Sequence, residues 1–190
     1  MNIPLLSILV TIALSLAGLV TTYLNQLRLT RRKEYLDLVN LRLNEFYGPL
    51  YVSCQAGAIA IDALRHKLGQ SSVFKNRASP SETELHEWRI WLTEVLMPLN
   101  DFREDLILRK SYLVLEREMP DCLLRFVAHN AAYKAVLKKW KEGNFSETLS
   151  IIDFPGELDA YATRSYAQLE LEQMALINHP HYKGRVRVGK

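Results

Sequence analysis

Residues 1–24 contain no charged side chain and are mostly apolar, and a basic collar of Arg28, Arg31, Arg32 and Lys33 follows directly. A helix needs about 20 such residues to cross roughly 30 Å of hydrocarbon, and core helices rarely stay uncharged so long. Because the bases follow the apolar run, the positive-inside rule predicts an N-terminus outside the membrane and a cytoplasmic remainder. The alternative is a cleaved signal peptide, which would carry its bases before the apolar run.

Small and hydroxylated side chains fall on one face of this predicted span, within an arc of roughly 80°. This small-residue stripe comprises Ser7, Thr11, Ser15, Gly18, Thr22 and Asn25. In lipid, such a stripe lets neighbouring helices approach and share hydrogen bonds, so we expect a homo-oligomer. A ring of these helices could instead line a water-filled pore with the hydroxyls. A further alternative is that each hydroxyl bonds to the carbonyl one turn earlier in its own helix.

Charge is distributed unevenly along the 190 residues, whose net charge is +3. The first 33 residues hold 4 bases and residues 179–190 hold 4 more, without any acid, so 16 bases stand against 21 acids in between. An acidic domain with a basic collar favours contact of that collar with anionic lipid headgroups over nucleic acid as a default ligand. The tail bases suit RNA and lipid equally; they are Lys183, Arg185, Arg187 and Lys190.

Apolar residues recur at helical spacing through the rest of the chain, and no run of alternating β-branched residues bounded by turns predicts a strand. We therefore predict an all-α fold in which an N-terminal transmembrane helix continues into a cytoplasmic helical bundle. The transmembrane anchor is predicted over residues 1–27 and the bundle over 28–178. Residues 179–190 are predicted to be a basic, disordered tail.

Prolines, glycines and capping residues predict where the helices begin and end. Gly48-Pro49 is expected to bend or end the first helix, and Pro98 to interrupt a later one. Ser81-x-x-Glu84 predicts a capping box at a helix N-terminus. The other expected boundaries are Gly69 and Gly143 as helix ends, Pro120 as a helix start, and a last helix from about Glu157 to Ile177.

Sequence signatures of most enzyme classes are absent: there is no Cys-x-x-Cys, no Gly-rich loop between strand and helix, and no Gly-x-Ser-x-Gly. His179 and His181 lack a third ligand for a metal ion. Cys54 and Cys122 lie in apolar patterns, where buried and reduced thiols are expected. We therefore predict no cofactor, no metal site and no enzymatic activity from these signatures.

Arg125 and His129 are one helical turn apart beside the apolar stripe of their helix, so both side chains are expected to project from the same edge. Paired across a dimer, they could form a cationic acid–base site for RNA cleavage. The pair resembles the HEPN nucleases, whose signature is an Arg, four to six residues and a His, although only three residues intervene here. This resemblance implies a membrane-tethered RNase as the runner-up function, with Arg125 and His129 as its catalytic residues.

Several segments together resemble a family of bacterial single-span helical proteins whose motifs carry no known reaction, and the resemblance covers nearly the full chain. These segments are RLNEFYGPLY, EWRIWLTEVLMPLN, EMPDCLLRFVAHNAAYKAVLKKW and GNFSE. More loosely, the layout is similar to the membrane-pore accessory proteins of type VI CRISPR loci, which combine one N-terminal helix with a HEPN-like bundle. This second resemblance implies an antiphage protein that forms a pore in the bacterial inner membrane and acts with a defence-system partner.

The primary hypothesis is therefore a single-pass inner-membrane protein that self-assembles and forms a pore or otherwise perturbs the bilayer. The alternatives are the membrane-tethered RNase and a passive membrane adaptor. The adaptor would dock a cytosolic partner through an exposed Trp88 or Trp91, although tryptophans in such a pattern are more often core residues. It predicts that any replacement anchor of equal length preserves function.

Overall fold

The computed structural model describes residues 3–69 and 80–179, with side chains from residue 7 onward. Within these two ranges the chain is helical and contains no strand, which confirms the all-α class. The predicted tail lies outside the described residues except for His179. The elements are α1 (Ile3–Arg42), a π-helical turn (Leu43–Tyr47), α2 (Gly48–Lys67), α3 (Glu82–Trp91), a second π-helical turn (Leu92–Leu96), α4 (Met97–Lys110), a 3-10 turn (Ser111–Leu113), α5 (Asp121–Lys141) and α6 (Glu157–Asn178).

The described residues form two compact units, whose boundaries fall inside α1 and α6. The first unit comprises residues 3–40 and 172–179, and the second comprises residues 41–69 and 80–171. In the first unit, the Tyr35 hydroxyl donates to Glu172 Oε1 over 2.6 Å. Gln173 Nε2 donates to Asn40 Oδ1 over 2.8 Å. These bonds hold the last turns of α6 against the part of α1 that follows the basic collar.

Pro49 and Pro98 alter the helical pattern of the second unit without ending a helix. Each proline closely follows a π-helical turn, Leu43–Tyr47 in one case and Leu92–Leu96 in the other. The residue before each proline donates its N–H to the carbonyl five residues back. Because a proline has no N–H and its ring crowds the carbonyl four residues back, the wider π turn accommodates it. Of the two outcomes expected at Gly48-Pro49, the helix end is therefore wrong.

Helix ends in the second unit follow the capping residues identified in the sequence. Ser81 Oγ accepts the Glu84 N–H over 3.3 Å and the Ser81 N–H donates to Glu84 Oε2 over 2.7 Å, which confirms the capping box. Gly69 and Gly143 lie just beyond α2 and α5 with φ of 63° and 78°, a left-handed conformation that suits glycine. Pro120 is the N-cap of α5.

Part of the core of the second unit lies where α2, α3, α4 and α5 meet. A buried cluster there comprises Leu64, Trp88, Leu92, Leu96, Met97, Tyr133, Val136 and Trp140. Trp88 is only 5% exposed and donates its Nε1–H to the Thr148 carbonyl over 3.1 Å. Trp91 is half-buried against the same cluster, and its Nε1 is enclosed. Trp88 is therefore a core residue, and the exposure that the adaptor alternative required is wrong for Trp88.

Candidate functional site

One helix of the described residues is long and apolar enough to cross a membrane, by length and composition. Its most apolar stretch has a mean hydropathy of 1.9, and none of that stretch is buried. Large apolar side chains are therefore exposed along it, for example Leu14 at 69% and Leu19 at 68%. Because contiguous apolar surface of this kind is rare on proteins in water, the helix offers a surface suited to lipid or to other helices.

Every position of the small-residue stripe is exposed, and the hydroxyls of Thr11, Ser15 and Thr22 bond to their own helix. Thr11 Oγ1 donates to the Ser7 carbonyl over 2.9 Å, and Ser15 Oγ donates to the Thr11 carbonyl over 2.8 Å. Thr22 Oγ1 donates to the Gly18 carbonyl over 2.9 Å. This is the self-bonded arrangement that was one of three expectations from the sequence. The donors of Thr11, Ser15 and Thr22 are thus already satisfied, and the small side chains of the stripe leave space for a neighbouring helix.

Arg32 differs from the other three bases of the collar, which are exposed. Its Nε donates to the Leu176 carbonyl over 3.0 Å, and its Nη2 donates to the carbonyls of Leu176 and Ile177. These carbonyls belong to the last turn of α6, where a cation satisfies otherwise unbonded acceptors and complements the helix dipole. Arg32 therefore has a structural contact in the first unit, and the rest of the collar remains open to headgroups.

Arg125 and His129 do not share a surface. The Arg125 side chain is 60% exposed, with its Nη1 3.8 Å from Asp121 Oδ2, whereas His129 is 6% exposed. The expectation that both project from the same edge is therefore wrong. Four residues of α-helix turn through about 400°, so the two side chains point in directions roughly 40° apart around the helix axis. That difference is enough to place His129 inside the buried stripe and Arg125 outside it. No acid–base site is assembled from this pair within one chain.

His129 is enclosed by aromatic rings of the second unit. The rings of Tyr133 and Phe154 lie edge-to-face with it at centroid distances of 5.0 and 5.5 Å. Its Nδ1 lies 2.5 Å from the Ile152 carbonyl, which can only accept, so Nδ1 carries the proton. Burial lowers the pKa of the imidazole, outweighing this hydrogen bond and the charge of Asp153, which raise it. The ring is therefore neutral near pH 7, with Nε2 as an acceptor.

His129 lines a cavity of about 620 Å³ in the second unit, a feature that the sequence did not predict. Helices α2 to α6 and the segment 149–154 all contribute to its wall. Its apolar lining includes Trp88, Leu92, Leu96 and Tyr133, with Ile59, Leu149 and Phe154 as exposed apolar members. The volume falls within the range of roughly 300–1,000 Å³ that is typical of small-molecule sites.

Arg103 on α4 belongs to the same wall and is only 3% exposed. Its Nε donates to Ser53 Oγ over 3.3 Å, its Nη1 donates to Asn100 Oδ1 over 2.8 Å, and its Nη2 donates to the Ser53 carbonyl. A Cβ at Gly57 would overlap the Nη2 atom, so glycine leaves the space that the guanidinium occupies. Burial lowers the pKa of Arg103, yet a guanidinium stays charged at neutral pH.

The two cysteines are unreactive thiols. Cys54 lines the cavity, is 1% exposed, and burial raises its pKa to about 12. Cys122 is half-buried, and burial raises its pKa as well. Full burial is thus confirmed for Cys54 only, and a protonated thiol is neither a good nucleophile nor a metal ligand. Across residues 3–69 and 80–179, no three His, Cys, Asp or Glu side chains converge into a possible metal site.

Comparison with protein-family models found no match for this chain, and searches of curated proteins and of solved structures found none either. Two features of the described residues bear on its function. One is the exposed apolar helix with its small-residue stripe and basic collar, and the other is the cavity beside Arg103 and His129.

Proposed function

We propose that this protein is a single-pass inner-membrane protein that self-assembles through the small-residue stripe of α1, with residues 28–178 in the cytoplasm. The observation that carries the proposal is the uninterrupted helix of 40 residues whose apolar part is exposed and precedes the basic collar. At 1.5 Å per residue, residues 7–24 alone extend roughly 27 Å. That length is close to the hydrocarbon thickness of a bilayer.

The surroundings of the basic collar support a location at the membrane surface. Arg28, Arg31 and Lys33 are exposed, while Arg32 binds the C-terminal turn of α6. That turn carries an exposed apolar side chain, Ile177, which is 59% exposed. Bases and exposed apolar groups side by side are typical of a surface that rests on headgroups. The collar would then fix the cytoplasmic end of the span.

The stripe supports self-association by close packing. Thr11, Ser15 and Thr22 already donate to their own backbone, and a Cβ at Gly18 would meet no atom within 4 Å. A face with little side-chain volume and no internal contact lets a second helix approach closely, which is the main source of attraction between helices in lipid.

The alternative form of the proposed assembly is a ring whose stripe faces inward and lines a pore, with the helices in contact through the faces on either side of the stripe. Its support is the resemblance of the sequence layout to the accessory proteins of type VI CRISPR loci. In that setting the assembled ring would depolarise the inner membrane as part of antiphage defence. The RNase and adaptor alternatives gain no such support, since Arg125 and His129 lie on different surfaces and Trp88 is buried.

Energy transfer between two fluorescently labelled populations of the full chain in liposomes tests the assembly. We expect transfer that depends on the protein-to-lipid ratio. The double variant Ser15→Ile with Gly18→Ile should weaken association about tenfold, because close helix contacts in lipid contribute roughly 1–2 kcal/mol. The matched control, Leu16→Ile with Leu19→Ile, introduces the same side chain off the stripe and should associate like wild type.

A wild-type chain that stays monomeric at every protein-to-lipid ratio would refute self-assembly. An equal loss in the stripe variant and in the control would show that the stripe is not the contact face. Dye release from the same liposomes then distinguishes the two forms of assembly. A pore predicts release by wild type and the control but not by the stripe variant, whereas closely packed helices predict no release by any of them.

A further inference from the structure

We infer that the cavity of the second unit binds a small monocarboxylate with an apolar body, and that Arg103 is the residue that contacts the carboxylate. This binding site goes beyond the proposed membrane function and does not depend on it. It is carried by three observations on the described residues: a buried cation without an ion-pair partner, unused donors on that cation, and an apolar cavity beside it.

The charge of Arg103 is the first observation. The guanidinium is buried, and the groups that accept its hydrogen bonds are a hydroxyl, an amide oxygen and a backbone carbonyl, all of them neutral. Among the residues that the structure describes, no Asp or Glu forms an ion pair with it. Because an unpaired charge away from water is costly, an anion that enters the cavity would gain a strong partner there.

Unused hydrogen-bond donors are the second observation. A guanidinium carries five N–H groups in a planar fork. Three hydrogen bonds to Ser53 and Asn100 account for one N–H on each nitrogen. The remaining N–H of Nη1 and the remaining N–H of Nη2 have no described acceptor. Two N–H groups on neighbouring nitrogens match the two oxygens of one carboxylate.

The acidic residues of the cavity decide between a singly and a doubly charged ligand. Asp62, Asp153 and Asp159 all line it. Asp62 forms an ion pair with Arg65, with 3.3 Å between Asp62 Oδ1 and Arg65 Nη1. Asp159 forms no ion pair with Arg103, but its negative charge lies near enough to attract the guanidinium. These carboxylates repel a second negative charge more than a first, so a carboxylate is favoured over a phosphate dianion.

The apolar lining is the third observation. Trp88 and Tyr133 contribute aromatic faces, and Ile59 and Leu149 remain 70% and 48% exposed. An apolar ligand body would cover this exposed surface, which burial from water favours by roughly 25 cal/mol per Å². The neutral ring of His129 adds an acceptor without adding a charge. A flat aromatic carboxylate therefore fits both the volume and the chemistry.

Calorimetric titration of the full chain in lipid nanodiscs, with empty nanodiscs as the blank, tests the inference. The probes are naphthoate, its neutral analogue naphthylmethanol, and naphthyl phosphate. We expect naphthoate to bind about tenfold more tightly than the alcohol, a difference of about 1.4 kcal/mol, because its charged carboxylate can accept hydrogen bonds from Arg103. Arg103→Gln should remove this preference and leave the affinity for the alcohol unchanged.

Blocking the cavity provides a test that does not alter Arg103. Leu149→Trp places a large ring at an exposed part of the lining and should weaken naphthoate binding, whereas Leu124→Trp, at an exposed position outside the cavity, should not. Equal affinity of wild type for naphthoate and the alcohol, tighter binding of the phosphate, or no binding at all would overturn the inference. Unchanged binding by Leu149→Trp would overturn it as well, even if Arg103→Gln fails to fold.

Discussion

The apolar part of α1 and the second unit satisfy their polar side chains in opposite ways. Along α1, each hydroxyl bond joins positions one turn apart, as from Ser15 to Thr11. In the second unit, Arg103 reaches Ser53, which lies 50 positions earlier in the chain. The first arrangement needs only a helix, whereas the second exists only when α2 and α4 are packed together. Substitutions should therefore leave the free energy of unfolding nearly unchanged in one region and lower it in the other.

Two glycines show the same contrast. A Cβ at Gly18 would meet no atom within 4 Å, whereas a Cβ at Gly57 would overlap the guanidinium of Arg103. Gly57 therefore makes room for a neighbour inside the fold. Gly18 leaves room that no described residue of the chain uses. Under the proposed function, a second copy of the helix uses it.

The largest effect is expected from Arg103→Ala, which removes a buried side chain and three hydrogen bonds at once. We expect the free energy of unfolding of the full chain in detergent to fall by about 3 kcal/mol. Denaturant titration followed by tryptophan fluorescence measures it, since all 3 tryptophans belong to the second unit. The control Arg125→Ala, at an exposed arginine, should change stability by less than about 0.5 kcal/mol. Equal effects would show that the hydrogen bonds of Arg103 do not stabilise the second unit.

A smaller loss of about 2 kcal/mol is expected from Gly57→Ala, because the new methyl group displaces the guanidinium in a packed interior. The same titration measures it. In the Arg103→Ala background the loss should nearly vanish, since the overlapping group is gone. Gly18→Ala is the matched control and should cost nothing, because the methyl group meets no atom there. A loss from Gly57→Ala that persists without Arg103 would contradict the assigned contact.

Features set by residues three or four apart were predictable from the sequence. The Ser81 to Glu84 capping box and the glycines after α2 and α5 depend on local geometry, and the structure confirms them. The continuation of the helix through Pro49 was not predictable, because α-helix spacing alone does not show that a π turn will accommodate the proline. The predicted shared edge of Arg125 and His129 was wrong for a related reason, since a small rotation around the helix separates an exposed position from a buried one.

The cavity was missed because the buried face of α4 carries polar residues beside apolar ones, while the apolar Phe102 is 49% exposed. The buried positions along the second π turn and α4 include Leu96, Asn100, Arg103 and Ile107. Their spacing of four, three and four residues is helical, so a polar pair in register with buried apolar residues was the available signal. Which residues would accept the bonds of Arg103 depends on packing, which local patterns do not show.

A pH-dependent loss of stability is expected from His129. Burial lowers the pKa of the folded imidazole below its usual 6.5, so below about 6.5 the unfolded state binds the proton more readily. The stabilisation is therefore fully present above the unfolded pKa and is lost as pH falls towards the folded pKa. Denaturant titrations at about pH 7.5 and about pH 5.5 measure it. His129→Gln should reduce the pH dependence, and the exposed control His86→Gln should retain it. A dependence unchanged by His129→Gln would place its origin elsewhere.

The smallest effect is expected from removing hydroxyls along α1. Thr11→Val and Ser15→Ala keep side-chain size nearly unchanged and delete only bonds that close within one turn. Self-association in liposomes should then change by less than about 0.5 kcal/mol, because close approach of the helices is preserved. Energy transfer between labelled chains measures this, with Ser15→Ile and Gly18→Ile as the disruptive reference. Loss of association in the hydroxyl-free variant would mean that the hydroxyls bond across copies, so that this region also depends on long-range partners.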